Sequence, residues 1–310
     1  MTRIVTLTLN PTIDVAYTLD HLAHSDKLRA ASQRCDPGGG GINVARVFVR
    51  MGGDARCVYM SGGSTGIALD ALLDLHQLAR TPITIQGETR ISSTVFERLS
   101  GKEYRIVPAG PKISETECQA CLDQLAVIDC DYLVISGSMP RGVPDDFYAK
   151  VAFEAQQRGI RVVLDSSGEP LRAAIASGNI ELAKPNLKEF QELILEDITD
   201  PFEIGEAAQE IVRKGGARLI VISLAERGGV LASAENVTLC KAPTVETASS
   251  VGAGDSCVAA MVQGLALGLN DKEAFKMGIA AGGAALLTPG TGLAQAKDID
   301  QLYRKMTGSS

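Results

Sequence analysis

Histidine is scarce: three in 310 residues, none at metal-ligand spacing, so no zinc site can be read from the sequence. Positive charge is also in the minority, with 30 Lys and Arg against 37 Asp and Glu and a net charge of −7. A general nucleic-acid binder needs a basic surface, so no nucleic-acid partner is expected. A phosphorylated small molecule is still compatible, because a few local cations can serve one. Long apolar runs are missing. The least polar segment, Cys257 to Leu269, is too short to span a bilayer, and no membrane association is expected. The opening Met1-Thr2-Arg3-Ile4-Val5 lacks the charged-then-apolar pattern of a secretion signal. The seven cysteines are scattered and odd in number, which gives no disulfide framework and points to a reducing, cytoplasmic setting. Cys118-Gln119-Ala120-Cys121 has redox spacing, but it lies in a polar, helical-looking stretch. No internal repeat stands out.

What the chain has is glycine, 32 residues of it, and 45% hydrophobic residues in short runs. Arg3 to Leu9 is rich in β-branched residues and reads as a strand ending at the turn Asn10-Pro11-Thr12. A helix is expected from Asn43 to Met51, then a short strand at Val58 to Met60 and a helix around Ile67 to Leu78. Thr89 to Val107 reads as a β-hairpin turning at Ser100-Gly101. Modest strand character around Ala16 to Leu19 and Lys27 to Arg29 makes segments 14–34 and 89–106 candidates for a small sheet or lid. Those segments hold seven cations against five acids. This bias suits an anionic substrate, and it equally suits an exposed sheet edge guarded by Lys and Arg. From residue 114 helices and short apolar strands alternate, the mark of a parallel sheet covered on both faces. Four of its strands end in polar residues: Ser136-Gly137-Ser138, Asp165-Ser166-Ser167, Lys184-Pro185-Asn186 and Ser223. In open parallel sheets the ligand crevice lies beyond such carboxyl ends. Gly229 to Ala242 reads as a hairpin at the sheet edge, and helices around 271–287 and 296–306 close the chain.

Two glycine clusters frame this order. Gly38-Gly39-Gly40-Gly41 strips the chain of side chains just before Asn43; it is either a flexible loop or a bare backbone facing something polar. Gly252-Ala253-Gly254 precedes Asp255 and the apolar run Cys257 to Val262. A run apolar all round is a buried helix, with Asp255 in its first turn. Free N–H groups at such a start attract anions, and glycine lets a phosphate come close. Asp255 is therefore either a cap or a carboxylate placed to take a proton.

Gly38 to Ala45, Lys184-Pro185-Asn186-x-x-Glu189 and Val251 to Asp255 together resemble the signatures of the ribokinase-like, pfkB-type sugar kinases, in register along the whole chain. Thr8 to Asp14 resembles the branch acting on sugar phosphates. Pro37 to Ala45, Val134 to Ser138 and Asp165 to Glu169 are most similar to its minor bacterial 6-phosphofructokinases. The resemblance implies a single α/β domain over 1–310, a mostly parallel sheet with helices on both faces and a small β-sheet lid. It implies ATP-dependent phosphorylation of a sugar phosphate, foremost fructose 6-phosphate, with 1-phosphofructokinase and tagatose-6-phosphate kinase as alternatives. Asp255 would be the base, with the N–H groups of Gly252, Ala253 and Gly254 holding the transferring phosphoryl. The sugar phosphate would meet Asp14, Lys27, Gly39, Gly40, Asn43, Arg90, Arg105 and Ser138. The nucleotide would meet Lys184, Asn186, Ser223, Gly228, Ser250 and Gly254. Mg²⁺ would lie at Asn186 and Glu189, with K⁺ as a second ion near Thr288 to Gly292, and the lid would pair in a homodimer. Two positions depart from the family: Ser249 replaces an acidic residue, and Ala225 stands where glycine is usual in the nucleotide loop. They are the support for an alternative of another class, a non-catalytic sugar-phosphate sensor.

Overall fold

The computed structural model describes residues 2–24 and 26–308. Its strands are β1 (Arg3–Thr8), β2 (Thr12–Leu19), β3 (Ser32–Gly38), β4 (Asp54–Ser61), β5 (Ala79–Thr84), β6 (Arg90–Glu97), β7 (Lys102–Ile106), β8 (Tyr132–Ser136), β9 (Arg161–Asp165), β10 (Leu182–Ala183), β11 (Leu219–Ser223), β12 (Gly229–Ala232) and β13 (Val237–Cys240). Its helices are α1 (Gly40–Arg50), α2 (Gly63–Leu75), α3 (Glu115–Ala126), α4 (Phe147–Gln157), α5 (Gly168–Ser177), α6 (Leu187–Ile194), α7 (Pro201–Arg213), α8 (Ala253–Ala266), α9 (Asp271–Leu286) and α10 (Ala296–Thr307).

Nine strands form one sheet in the order β13-β12-β11-β10-β9-β8-β1-β4-β5. All pairs are parallel except β11–β12 and β12–β13. Alternate side chains of one strand serve two separate cores. On β8, Leu133 and Ile135 pack with helices α3 to α7, while Tyr132 and Val134 pack with α1, α2 and α8 to α10. Both faces are therefore dry, which is why these strands read as unbroken apolar runs. The chain winds outward from β1 through β4 to β5, then returns to β1's other side at β8. Strand order reverses between β1 and β8, the place where open α/β sheets leave a crevice.

Four strands form a second sheet, β3-β2-β6-β7, with β2 and β6 parallel and the other pairs antiparallel. The expected hairpin is β6–β7. The expected strand at Lys27 to Arg29 is instead an exposed segment outside any strand, and the chain pairs with β2 only from Ser32, continuing through Pro37 to Gly38. Helix α1 starts at Gly40, three residues earlier than Asn43. A Cβ on Gly40 would lie 2.2 Å from Ser136 Oγ, and one on Gly41 would lie 2.5 Å from Thr8 Oγ1. The glycines let α1 begin in contact with β1 and β8, so close packing overrides their poor helix propensity. The strand expected at Val58 to Met60 is longer, Asp54–Ser61, and β5 beyond it was not expected; its Pro82 is tolerated because β5 is the sheet's edge.

Among the described residues no helix is long and apolar enough to cross a membrane. Helix α8 is buried from Ser256 to Val262, and a Cβ on Gly278 of α9 would meet Met261 Cγ at 2.6 Å. Small residues thus let α9 clamp α8 closely. Each fully buried Val or Met side chain contributes about 1.5–3 kcal/mol, so the start of α8 rests on a rigid support.

Candidate active site

Two cavities open at the carboxyl ends of the strands, and the first turn of α8 is the wall between them. The smaller, ≈ 390 Å³, lies between the large sheet and the small one, with Asp14, Asn43, Arg90, Arg105, Ser138 and Asp255 in its lining. The larger, ≈ 840 Å³, is lined by Asn186, Ser223, Ala225 to Gly228, Ser250, Ala253 and Gly254, and by apolar residues of α9. Residues 250 to 255 divide between the two: Val251, Gly252 and Asp255 face the smaller, while Ser250, Ala253 and Gly254 face the larger. Gly252 caps α8 at φ +74°, a left-handed turn that glycine adopts without strain.

Asp255 Oδ2 accepts a hydrogen bond from Asn43 Nδ2 at 2.9 Å. Burial, helped by the neighbouring Asp165 carboxylate, pushes its pKa up to about 7, against the opposing pull of Asn43 and Lys184. A carboxylate half protonated near neutrality can accept a proton from a hydroxyl and release it again. Asp14 lies on β2 across the cavity; burial raises it to about 6 although Arg46, Arg105 and Arg90 pull it down. A Cβ on Gly38 would lie 2.0 Å from Asp14 Oδ2, so this glycine clears space for the carboxylate. Gly39 and Gly40 also line the cavity, and Gly39 caps α1 at φ +110°. Arg90 is braced by the Pro108 and Asn10 carbonyl oxygens at 2.9 and 2.8 Å, with Ser138 Oγ at 3.4 Å. Of the seven cations in segments 14–34 and 89–106, Arg90 and Arg105 line the cavity, whereas Arg34 pairs with Asp36 and Arg98 with Asp20. Lys27 is exposed and lies in neither cavity lining.

Lys184 also lines neither cavity. Its ammonium sits beneath the start of α8, 3.1 Å from Asp165 Oδ1 and 3.4 Å from where a Cβ on Gly254 would be. Burial opposes its charge, but Asp165 outweighs burial and holds its pKa above the ordinary value. Asn186 and Glu189 form a reciprocal capping box at the start of α6: Glu189 N–H donates to Asn186 Oδ1 at 3.0 Å, and Asn186 N–H to Glu189 Oε2 at 2.8 Å. Glu189 faces the smaller cavity, its pKa raised by burial and by Asp165, and its second carboxylate oxygen has no part in the box. No cluster of three or more His, Cys, Asp or Glu could hold a metal among the described residues. The oxygen donors of Glu189 and Asn186 fit a magnesium ion that keeps most of its water.

Ala225 adopts φ +52°, so the loop after β11 keeps the left-handed turn without a glycine. Ser249 is buried and its Oγ accepts from Val251 N–H at 3.3 Å, a role inside the α8 entry. In the 288–292 stretch, Thr291 Oγ1 donates to Asp36 Oδ2 at 2.5 Å and Arg50 donates to the Gly292 carbonyl at 2.6 Å. Sequence reasoning passed over Arg46 and Asp36, both buried behind Asn43, and placed Asp165 only among the polar strand ends. The available signal was spacing: Arg46 stands three residues after Asn43, on the same helix face.

The pattern of the pfkB family carbohydrate kinases matches residues 5–298. The chain belongs to this family. An ATP-dependent 6-phosphofructokinase isozyme 2 of Escherichia coli (strain K12) is 40% identical over 304 residues, covering 98% of each chain. The crystal structure of Escherichia coli phosphofructokinase-2 in complex with fructose-6-phosphate superposes with a TM-score of 0.93 at 39% identity, over 99% of this chain and 100% of that one. Arabidopsis thaliana ribokinase complexed with ribose and ATP superposes with a TM-score of 0.74 at 18% identity, over 98% and 99% of the chains, which shows a common ribokinase-like fold. An ATP-dependent carbohydrate kinase of this family needs a place for each of its two substrates.

Proposed function

We propose that this kinase transfers the terminal phosphoryl group of ATP to fructose 6-phosphate, giving fructose 1,6-bisphosphate and ADP. One observation carries the reading: Asp255 stands in the wall between a cavity bearing Arg90 and Arg105 and a larger one suited to a nucleotide. The sugar phosphate occupies the smaller cavity. Its phosphate is bound by Arg90 and Arg105, and its hydroxyls meet Asp14, Asn43, Ser138 and the bare backbone of Gly39 and Gly40. ATP lies in the larger cavity along Ser223, Gly228, Asn186 and Ser250. The Asp255 carboxylate takes the proton of the attacking hydroxyl. The hydroxyl oxygen bonds to the terminal phosphorus as the bond to the ADP oxygen breaks. Backbone N–H groups of Gly252, Ala253 and Gly254 stabilise the charge on the moving group. The buried Lys184 ammonium adds positive potential from below. Mg²⁺, held by Glu189 and Asn186 through water, would neutralise phosphate charge. K⁺ would take carbonyl oxygens of the 288–292 stretch other than that of Gly292, which Arg50 occupies.

The small sheet acts as a lid on one domain spanning the whole chain. Its Ile91, Tyr104 and Ile106, on the face opposite Arg90 and Arg105, are exposed apolar residues, which supports pairing of two lids in a homodimer. Lys27 would then serve the sugar phosphate only if its segment moves or a second copy supplies it. A cytoplasmic setting fits the absence of disulfides among the seven cysteines. The test is turnover of ATP with fructose 6-phosphate, fructose 1-phosphate and tagatose 6-phosphate, for the native chain and Asp255→Asn. Fructose 6-phosphate is expected to give the highest kcat/KM. Preference for another isomer would reassign the substrate, and phosphorylation of none would remove the reading.

A further inference from the structure

Arg46 is 2% exposed, on the far side of Asn43 from Asp255. A fully buried arginine is rare unless its donors are used; here Nε has no partner, while both terminal nitrogens are used and tie α1 to β3. Its Nη1 donates to the Pro37 carbonyl at 3.0 Å and to Asn43 Oδ1 at 3.3 Å. Its Nη2 donates to Asp36 Oδ1 at 2.9 Å. Asp36 in turn accepts from Arg34 Nε at 2.6 Å and from Thr291 Oγ1, with His76 Nε2 at 3.6 Å. Burial raises the Asp36 carboxyl, but these hydrogen bonds and the Arg46 charge outweigh it and leave it below the usual carboxylate range. Burial lowers Arg46 only to about 10. The pair is thus ionised at neutral pH.

An asparagine carboxamide can present either its oxygen or its NH₂ to a neighbour. A guanidinium only donates, so beside Arg46 the oxygen side of Asn43 is the favoured contact. The NH₂ is then left facing Asp255 Oδ2 at 2.9 Å. Turned the other way, the amide would press its oxygen against the carboxylate and its NH₂ against the guanidinium.

We propose that Arg46 is a positioning residue for phosphoryl transfer: held by Asp36, it locks the Asn43 carboxamide so that its NH₂ steadies the Asp255 carboxylate. The proposal rests on the reading of Asp255 as the base. It links the lid strand β3 and the 288–292 stretch to that base through one side chain. The groups facing Asp255 are Asn43 and Lys184, which favour its charge, and Asp165 and Asp14, which oppose it. With Asn43 unlocked, only Lys184 remains on the favourable side.

The test compares Arg46→Lys, which keeps charge and stem but has no fork to hold three acceptors, with Asp36→Asn, which loosens Arg46 without touching Asn43. Folding is checked by circular dichroism and thermal melting. Losing a charge-assisted hydrogen bond at the base should lower kcat roughly 10–100-fold in Arg46→Lys. KM for ATP should hold, and the acid limb of the kcat/KM profile should move up by about one pH unit. Asp36→Asn should show the same pattern at smaller size. In the unmodified protein, labelled with ¹⁵N-asparagine, the Asn43 carboxamide protons should exchange slowly with solvent. A folded Arg46→Lys with the native kcat and acid limb overturns the proposal. So does a fall in kcat with an unmoved limb, which is what loss of scaffolding alone would give, or fast exchange of the Asn43 amide. Asp255→Asn separates the two claims. If that variant keeps full activity, the base assignment fails. If it is inactive while Arg46→Lys behaves as native, only the positioning role fails.

Discussion

Replacing Asp255 by Asn should sharply slow catalysis and strengthen the fold at the same time. The carboxyl has an ordinary pKa of 3.8 and is pushed up to about 7 by burial and by Asp165. A carboxyl whose pKa rises on folding favours the native state while protonated, and that contribution is lost as pH climbs from 3.8 through about 7. At pH 8 the native chain holds an anion where solvation is poor. Every tenfold gain in proton affinity corresponds to about 1.4 kcal/mol, so complete ionisation costs about 4 kcal/mol. The carboxylate lines an open cavity and keeps Asn43, so roughly 1–2 kcal/mol of that should be recovered by the neutral amide. For a chain of 310 residues this amounts to a rise in Tm of about 2–3 °C. Meanwhile kcat should fall about 10²–10⁴-fold for loss of the base. The assay is differential scanning calorimetry of both proteins at pH 8 and near pH 4, beside steady-state kinetics. The Tm gain should shrink toward zero at the lower pH, and the native kcat/KM should rise with pH through about 7. A gain equal at both pH values, or a loss of stability at pH 8, would refute the electrostatic reasoning even if activity vanished.

Arg90→Ala should raise KM for the sugar phosphate roughly 10–100-fold, as expected for a lost charge-assisted contact, with KM for ATP unchanged; equal changes in both would show that the variant merely disturbs the fold. Gly38→Ala places a methyl where the Asp14 carboxylate lies. It should raise the sugar-phosphate KM about tenfold with Tm lowered only slightly, because the tip of a side chain can move aside; a collapsed fold on thermal melting would contradict this. Ala225→Gly relieves a left-handed alanine at φ +52° and should stabilise the protein to urea by about 0.5–1 kcal/mol, the strain relieved slightly exceeding the entropy glycine adds to the unfolded chain. A lowered urea midpoint would show that the loop holds no strain there.

The doubly covered sheet was legible because its strands are buried on both faces. Runs such as Leu133 to Ile135 carry apolar side chains for two cores at once, and few other structures need that. What the sequence concealed is held by long-range contacts. Gly40 and Gly41 start a helix against their own propensity, because β1 and β8 lie where any side chain would collide. Asp36, Pro37 and Gly38 carry no strand signal of their own, yet they continue a strand that β2 aligns from more than twenty residues away. At the site, Asp255, Asn43, Gly39 and Arg90, singled out by motif and charge, all line the smaller cavity. The resemblance put Lys27 and Lys184 at the ligands; Lys27 is in neither cavity lining, and the Lys184 ammonium sits beneath the start of α8. Arg46 was passed over because an arginine is ordinarily assumed to face solvent, and its burial depends on partners that only folding brings together.

The two sides of the partition formed by residues 250 to 255 share no lining residue. A compound that joins a nucleoside to a hexitol phosphate through a short polyphosphate bridge would straddle this ridge and engage both chambers together. Its gain over either half alone would peak at the bridge length that just clears the ridge. Scanning that length would therefore act as a ruler for the distance a phosphoryl group travels in this enzyme.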